Sequence, residues 1–116
     1  MAEVRVQGAR AQLLAAVESM WNTVQSGETP HAIDLASFQA LCSMTVADLC
    51  EAVDRLADAA GTTANFRGHP LDRASRDIRV VRQHASVASH HIEDAGRVML
   101  GLKGNGLMLR GLQTAD

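Results

Sequence analysis

Apolar residues recur at intervals of three and four along three stretches of the chain, and that spacing places them on one face of a helix. In the first stretch Val6, Ala9 or Arg10, Leu13, Val17, Met20, Trp21 and Val24 keep the period until Ser26-Gly27, a C-terminal stop, which predicts a helix over about 4–25. The linker Gly27 to Ile33 is short and holds Pro30, so the next helix should return antiparallel, with Asp34 as its candidate N-cap. Leu35, Phe38, Leu41 or Cys42, Thr45 or Val46, Leu49, Val53, Leu56 and Ala60 then carry a stripe as far as Gly61, predicting a long second helix over roughly 34–60.

Beyond the loop Thr62 to His69, Pro70 fits a first helical turn, where its missing N–H has no partner to lose. Leu71, Ala74, Ile78, Val81, Ala85, Ala88, Ile92, Ala95 and Met99 follow at helical intervals. Periodicity alone would allow one helix over 70–100, but Ser86 and Ser89 cap as readily as they continue, so a break is expected near 86–90. In the last segment Gly101, Gly104, Gly106 and Gly111 disfavour a helix, while Leu107-Met108-Leu109 offers an apolar docking point.

Composition fits this reading. The chain of 116 residues has room for one domain, taken as 1–116 with 102–116 as a Gly-rich tail, and for a single small core that self-association would complete. Apolar residues make up 47% but aromatics only 3%, without Tyr, so packing rests on Ala, Leu, Val and Met, as in all-helical proteins. A net charge of −2 with scattered Lys and Arg lacks the electrostatic footprint of a nucleic-acid binder. Cys42 and Cys50, on one helix and about 12 Å apart along it, cannot bridge each other there. The N-terminus lacks the pattern of a secretory signal, and no apolar stretch is read as approaching membrane-spanning length. The resulting expectation is a cytoplasmic protein with neither nucleic-acid nor membrane partners.

Several motifs follow one another in a distinctive order. An Ala-rich helix, Ala9 to Trp21, leads into Ser26-Gly27-Glu28; Val53-Asp54-Arg55-Leu56 precedes Ala59-Ala60-Gly61; Pro70-Leu71-Asp72-Arg73-Ala74-Ser75-Arg76-Asp77 is followed by His84; and Ala95-Gly96-Arg97-Val98-Met99-Leu100-Gly101 closes the series. Together they resemble the C-terminal helical domain of the acyl-CoA dehydrogenase superfamily, in its type 2 branch of flavin-dependent monooxygenases, over nearly the whole chain. The resemblance implies a domain that packs against a flavin, FAD or FMN, and assembles through long helices. In that family most flavin contacts come from an N-terminal helical domain and a middle β-domain that have no counterpart in this sequence, so the chain alone is expected to hold little activity, with flavin implied by the resemblance only.

The family's dehydrogenases place a catalytic Glu after the Arg-Asp pair. Alignment on Arg76-Asp77 puts Ala85 there, and an Ala side chain cannot take a proton, so the α,β-dehydrogenation base is absent. The monooxygenase-like relatives place a His near the reactive flavin edge. That resemblance makes His84 the candidate catalytic residue, with His90 or His91 as alternatives, and Arg76 and Asp77 the candidate flavin-contacting residues. As plain helix-surface charges, Arg76 and Asp77 would instead form weak ion pairs. No metal is expected, because His84 and His91 would stand two turns apart on one straight helix while His90 points elsewhere. Cys42 and Cys50 read as small hydrophobes, and Trp21 as a core or interface residue.

The expected molecule is thus an all-α antiparallel bundle of three to four helices, left with an open apolar face and forming a homodimer or higher homo-oligomer. Two functions compete: the C-terminal domain of a flavin-dependent oxidoreductase that completes a flavin pocket with a partner chain, or a non-enzymatic helical interaction module.

Overall fold

The computed structural model describes residues 1–114. Four α-helices occupy Ala2–Gln25 (α1), Ala32–Ala60 (α2), Pro70–Arg82 (α3) and His90–Met99 (α4), with a 3-10 turn at Gly61–Asn65. Among the described residues there is no strand, only one isolated backbone bridge between Gly104 and Arg110. The all-helical expectation stands.

Helix α2 is the axle of the molecule, since α1, α3 and α4 each pack on it and none of the three packs on another. Arg5 at the start of α1 meets Glu51 late in α2 at 3.1 Å, so these two helices run antiparallel. Arg79 of α3 pairs with Asp54 at 3.2 Å, and the Cys50 thiol donates to the Ile78 carbonyl at 3.7 Å. Burial pushes that thiol above its ordinary pKa, which suits a packing role. Helix α4 covers the first half of α2, where Ala36, Ala95, Val98 and Leu109 form the buried cluster. Small residues at the α2–α4 contact let the backbones approach closely, and Leu109 from the last segment fills the remaining space.

Three features differ from the sequence reading. Helix α2 begins two residues early, with His31 as its N-cap; Asp34 lies at the third helical position, where its carboxylate accepts the His31 N–H at 3.3 Å. The break after α3 spans 83–89, beginning before Ser86. By length and composition α2 is also apolar enough to cross a bilayer, contrary to the sequence reading, because its stripe serves three packed neighbours and widens accordingly.

The last segment has a defined path. Gly104 donates to the Leu112 carbonyl at 2.9 Å and accepts from the Gly111 N–H at 3.0 Å, while the buried Asp94 carboxylate receives the Asn105 N–H at 2.6 Å. A side chain on Gly104 would collide with the Leu109 backbone carbonyl, and one on Gly106 would lie 2.8 Å from Asp94 Oδ2, so these two glycines permit a close approach. Residues 115 and 116 of the predicted tail lie outside the described residues.

Candidate functional site

Helix α3 contributes no buried residue and presents a dense charged surface. His69 caps it, its Nδ1 accepting the Leu71 N–H at 3.1 Å, and Pro70 opens the first turn as its chemistry predicts. Although adjacent in sequence, Arg76 and Asp77 do not pair with each other. Arg76 reaches back to Asp72 at 2.9 Å and Asp77 accepts from Arg73 at 3.4 Å, both one helical turn away. Such i, i+4 pairs each contribute about 0.3–0.5 kcal/mol.

Arg76 stands on the ridge between two open hollows. One, of about 660 Å³, runs between the end of α2 and α3 and is lined by Asp54, Asp58, Asp72, Ser75 and Arg79 among others. The other, of about 580 Å³, lies at the start of α3 beside Gly68, His69, Arg73 and Asp77. The acidic residues of α2 in the first hollow were not among the sequence-predicted site residues, because their neighbourhood depends on how α3 docks.

His84 lies two residues past the end of α3, in the corner that joins it to α4, with an exposed ring whose Nδ1 accepts the Ser86 N–H at 3.1 Å. That bond leaves Nε2 as the ring's free outward nitrogen. The corner is held from below by three buried polar side chains. Gln39 donates to the Ser86 carbonyl at 2.5 Å, Ser43 to the Ala88 carbonyl at 3.3 Å, and the His91 Nε2–H to the Ala85 carbonyl. His91 is 0% exposed and Ser43 1%, so these groups serve the backbone of the corner and not solvent. Since His91 Nε2 faces a carbonyl, that nitrogen must carry the proton, and Nδ1 is buried without a partner.

The structure therefore separates the three candidate histidines. His84 is exposed at the corner, His90 opens α4 on its exposed side, and His91 is interior. Sequence reasoning overlooked Gln39 and Ser43 as supports for the corner. Their signal was present in the period they share with Ala36, Val46 and Cys50, which marks polar residues on the buried face.

Arg73, Arg76 and His84 are all exposed and offer donors, but neither hollow beside Arg76 includes His84. Among the described residues no three His, Cys, Asp or Glu side chains converge on a metal-sized position.

Comparison with known proteins matches residues 1–89 to the family model described as the acyl-CoA dehydrogenase C-terminal domain. The chain belongs to this family. It is also similar to two proteins named indole-3-acetate monooxygenase. The one from Acinetobacter baumannii is 26% identical over 102 residues, covering 88% of this chain and 26% of the relative. The one from Pseudomonas putida is 31% identical over 101 residues, covering 86% of this chain and 26% of the relative. The chain thus spans about a quarter of the length of the curated relatives it matches. No solved structure matches it. The acyl-CoA dehydrogenase-like domain read from the motifs is the domain found, and its named relatives are monooxygenases.

Proposed function

We propose that this domain works as the C-terminal helical part of a flavin-dependent monooxygenase, contributing the α3 surface and the α3–α4 corner to a flavin pocket that further protein surface closes. The observation that carries the reading is the corner itself: Gln39, Ser43 and His91 bury their polar atoms to hold the backbone that presents His84. Hydrogen bonds shielded from water are stronger than exposed ones, so a corner held this way has a defined position. The bound flavin would supply oxygen activation. The protein's part is to place the His84 Nε2 at the reacting edge, where an imidazole can move a proton, and to set the guanidinium groups of Arg76 and Arg73 along one wall.

The names of the two relatives support oxygenation over dehydrogenation, and so does Ala85, which leaves no carboxylate base at the dehydrogenase position. Indole-3-acetate is accordingly the first substrate to test. Self-association into a homodimer or higher oligomer and a cytoplasmic setting belong to the same proposal, as does a flavin-binding partner chain in which FAD or FMN is held.

The test is flavin binding by the chain purified alone and together with any flavin-binding polypeptide found encoded beside it. A yellow complex whose flavin fluorescence changes on addition of this chain is the expected result, with His84→Gln retaining flavin and losing turnover. A complex that stays colourless with both FMN and FAD overturns the reading and leaves the helical interaction module.

A further inference from the structure

The chain holds three asparagines, Asn22, Asn65 and Asn105, and the fold treats the peptide N–H that follows each of them differently. Asn22 precedes Thr23 inside α1, where main-chain N–H groups donate along the helix. Asn65 precedes Phe66, whose N–H donates to the Thr63 carbonyl at 3.2 Å. Asn105 precedes Gly106. Among the described residues the Gly106 N–H donates to no acceptor, and the exposed Asn105 side chain makes no hydrogen bond. Glycine carries no Cβ, so the Gly106 nitrogen can approach the neighbouring side-chain amide without steric hindrance.

We propose that Asn105 is a site of spontaneous deamidation, and that its isoaspartyl product releases the last segment from α4. The Gly106 nitrogen attacks Asn105 Cγ. A Cγ–N bond forms, the side-chain Cγ–NH2 bond breaks, and ammonia leaves with the proton given up by the Gly106 N–H. The five-membered imide then takes up one water. Opening between Cγ and the Gly106 nitrogen yields aspartate at 105. Opening at the main-chain carbonyl yields isoaspartate, in which the chain runs through Cγ and is longer by one carbon.

The surroundings make that extra carbon consequential. The Asn105 N–H donates to Asp94 Oδ1 at 2.6 Å, and a Cβ on Gly106 would lie 2.8 Å from Asp94 Oδ2. On the other side Gly104 bonds to Leu112 and Gly111 and has the Leu109 carbonyl against it, next to the side chain seated among Ala36, Ala95 and Val98. Both neighbours of Asn105 are therefore closely packed, and a chain lengthened between 105 and 106 cannot keep both contacts. Asn105 also lines a hollow with Glu93, Asp94 and Arg97. A new carboxylate there meets repulsion from two acids and attraction from one guanidinium, so the release rests on chain length and not on charge.

The full chain incubated at mildly alkaline pH, mapped by mass spectrometry that separates aspartate from isoaspartate, tests both steps. Conversion at residue 105 with an equal release of ammonia is the expected result, while Asn22 and Asn65 stay amides. Asn105→Gln, which would need a larger and less favourable ring, should not convert. The isoaspartyl fraction, isolated by ion exchange, should lose hydrogen-exchange protection at residues 104–112, and Asn105→Asp should keep it. An Asn105 that stays an amide in the folded chain while the urea-unfolded chain converts overturns the site. Unchanged protection in the isoaspartyl fraction, or an equal loss in Asn105→Asp, overturns the release by chain length.

Discussion

Gln39, Ser43 and His91 are buried beside the apolar stripes read from the sequence and not on them, and all three direct their polar atoms to carbonyls of the 83–89 corner. Removing one takes a hydrogen bond from the corner, a loss of about 0.5–1.5 kcal/mol, although the Ala88 carbonyl keeps the His91 N–H at 3.1 Å. Ser43→Ala should therefore lower the urea midpoint, and hydrogen exchange should increase at residues 84–88 before it increases in α2. The pairs around Arg76 and Asp77 are exposed, so Arg76→Ala or Asp77→Ala should alter stability by less than about 1 kcal/mol, as read by the same unfolding curve. A loss of flavin binding in those variants would then reflect contact with the flavin and not a damaged fold. In the last segment Leu109→Ala empties a site that is 2% exposed and should cost about 2–5 kcal/mol. At this scale the sequence showed which residue types were available but not their surroundings. Arg76 and Asp77 were legible as a helix-surface charge pair, whereas their actual partners, Asp72 and Arg73, followed from which turns of α3 face each other.

The elements themselves were largely legible. Apolar spacing placed α1 and α2 to within two residues, and Pro70 marked the start of α3, because helix period and proline chemistry are local properties. The start of α2 was displaced from Asp34 to His31, since Asp34 satisfies the N-terminal N–H from inside the first turn. Helices α1 and α2 are joined by the charge cluster of Glu51 with Arg5 and Arg55. Hydrogen bonding from Arg55, and then the positive charge of Arg5, hold the Glu51 carboxyl below its ordinary pKa. A carboxylate with a depressed folded-state pKa takes up protons more readily when unfolded, so its contribution is present above the unfolded value and is lost as pH falls through the folded one. Thermal midpoints measured through the acidic range should fall along that window, and Glu51→Gln should flatten the slope.

Across the whole molecule the layout is elongated, 54 × 27 × 21 Å, because three helices line a single long axle instead of enclosing a shared centre. Helix α1 depends on α2 alone and buries only Ala9 fully, so in a diluted monomer its amides should exchange well before those of the α2–α4 core.

The sequence by itself determined the helical class, the positions of the helices, the family and the absence of a carboxylate base at Ala85, since each depends on residue identity and near-neighbour spacing. Only the tertiary structure decided that α2 is the axle, that the α3–α4 corner is held by buried polar groups, and that Trp21 remains uncovered. Those features depend on residues brought together from distant parts of the chain, such as Gln39 with Ser86, and helical period records which face a residue occupies but not what meets that face.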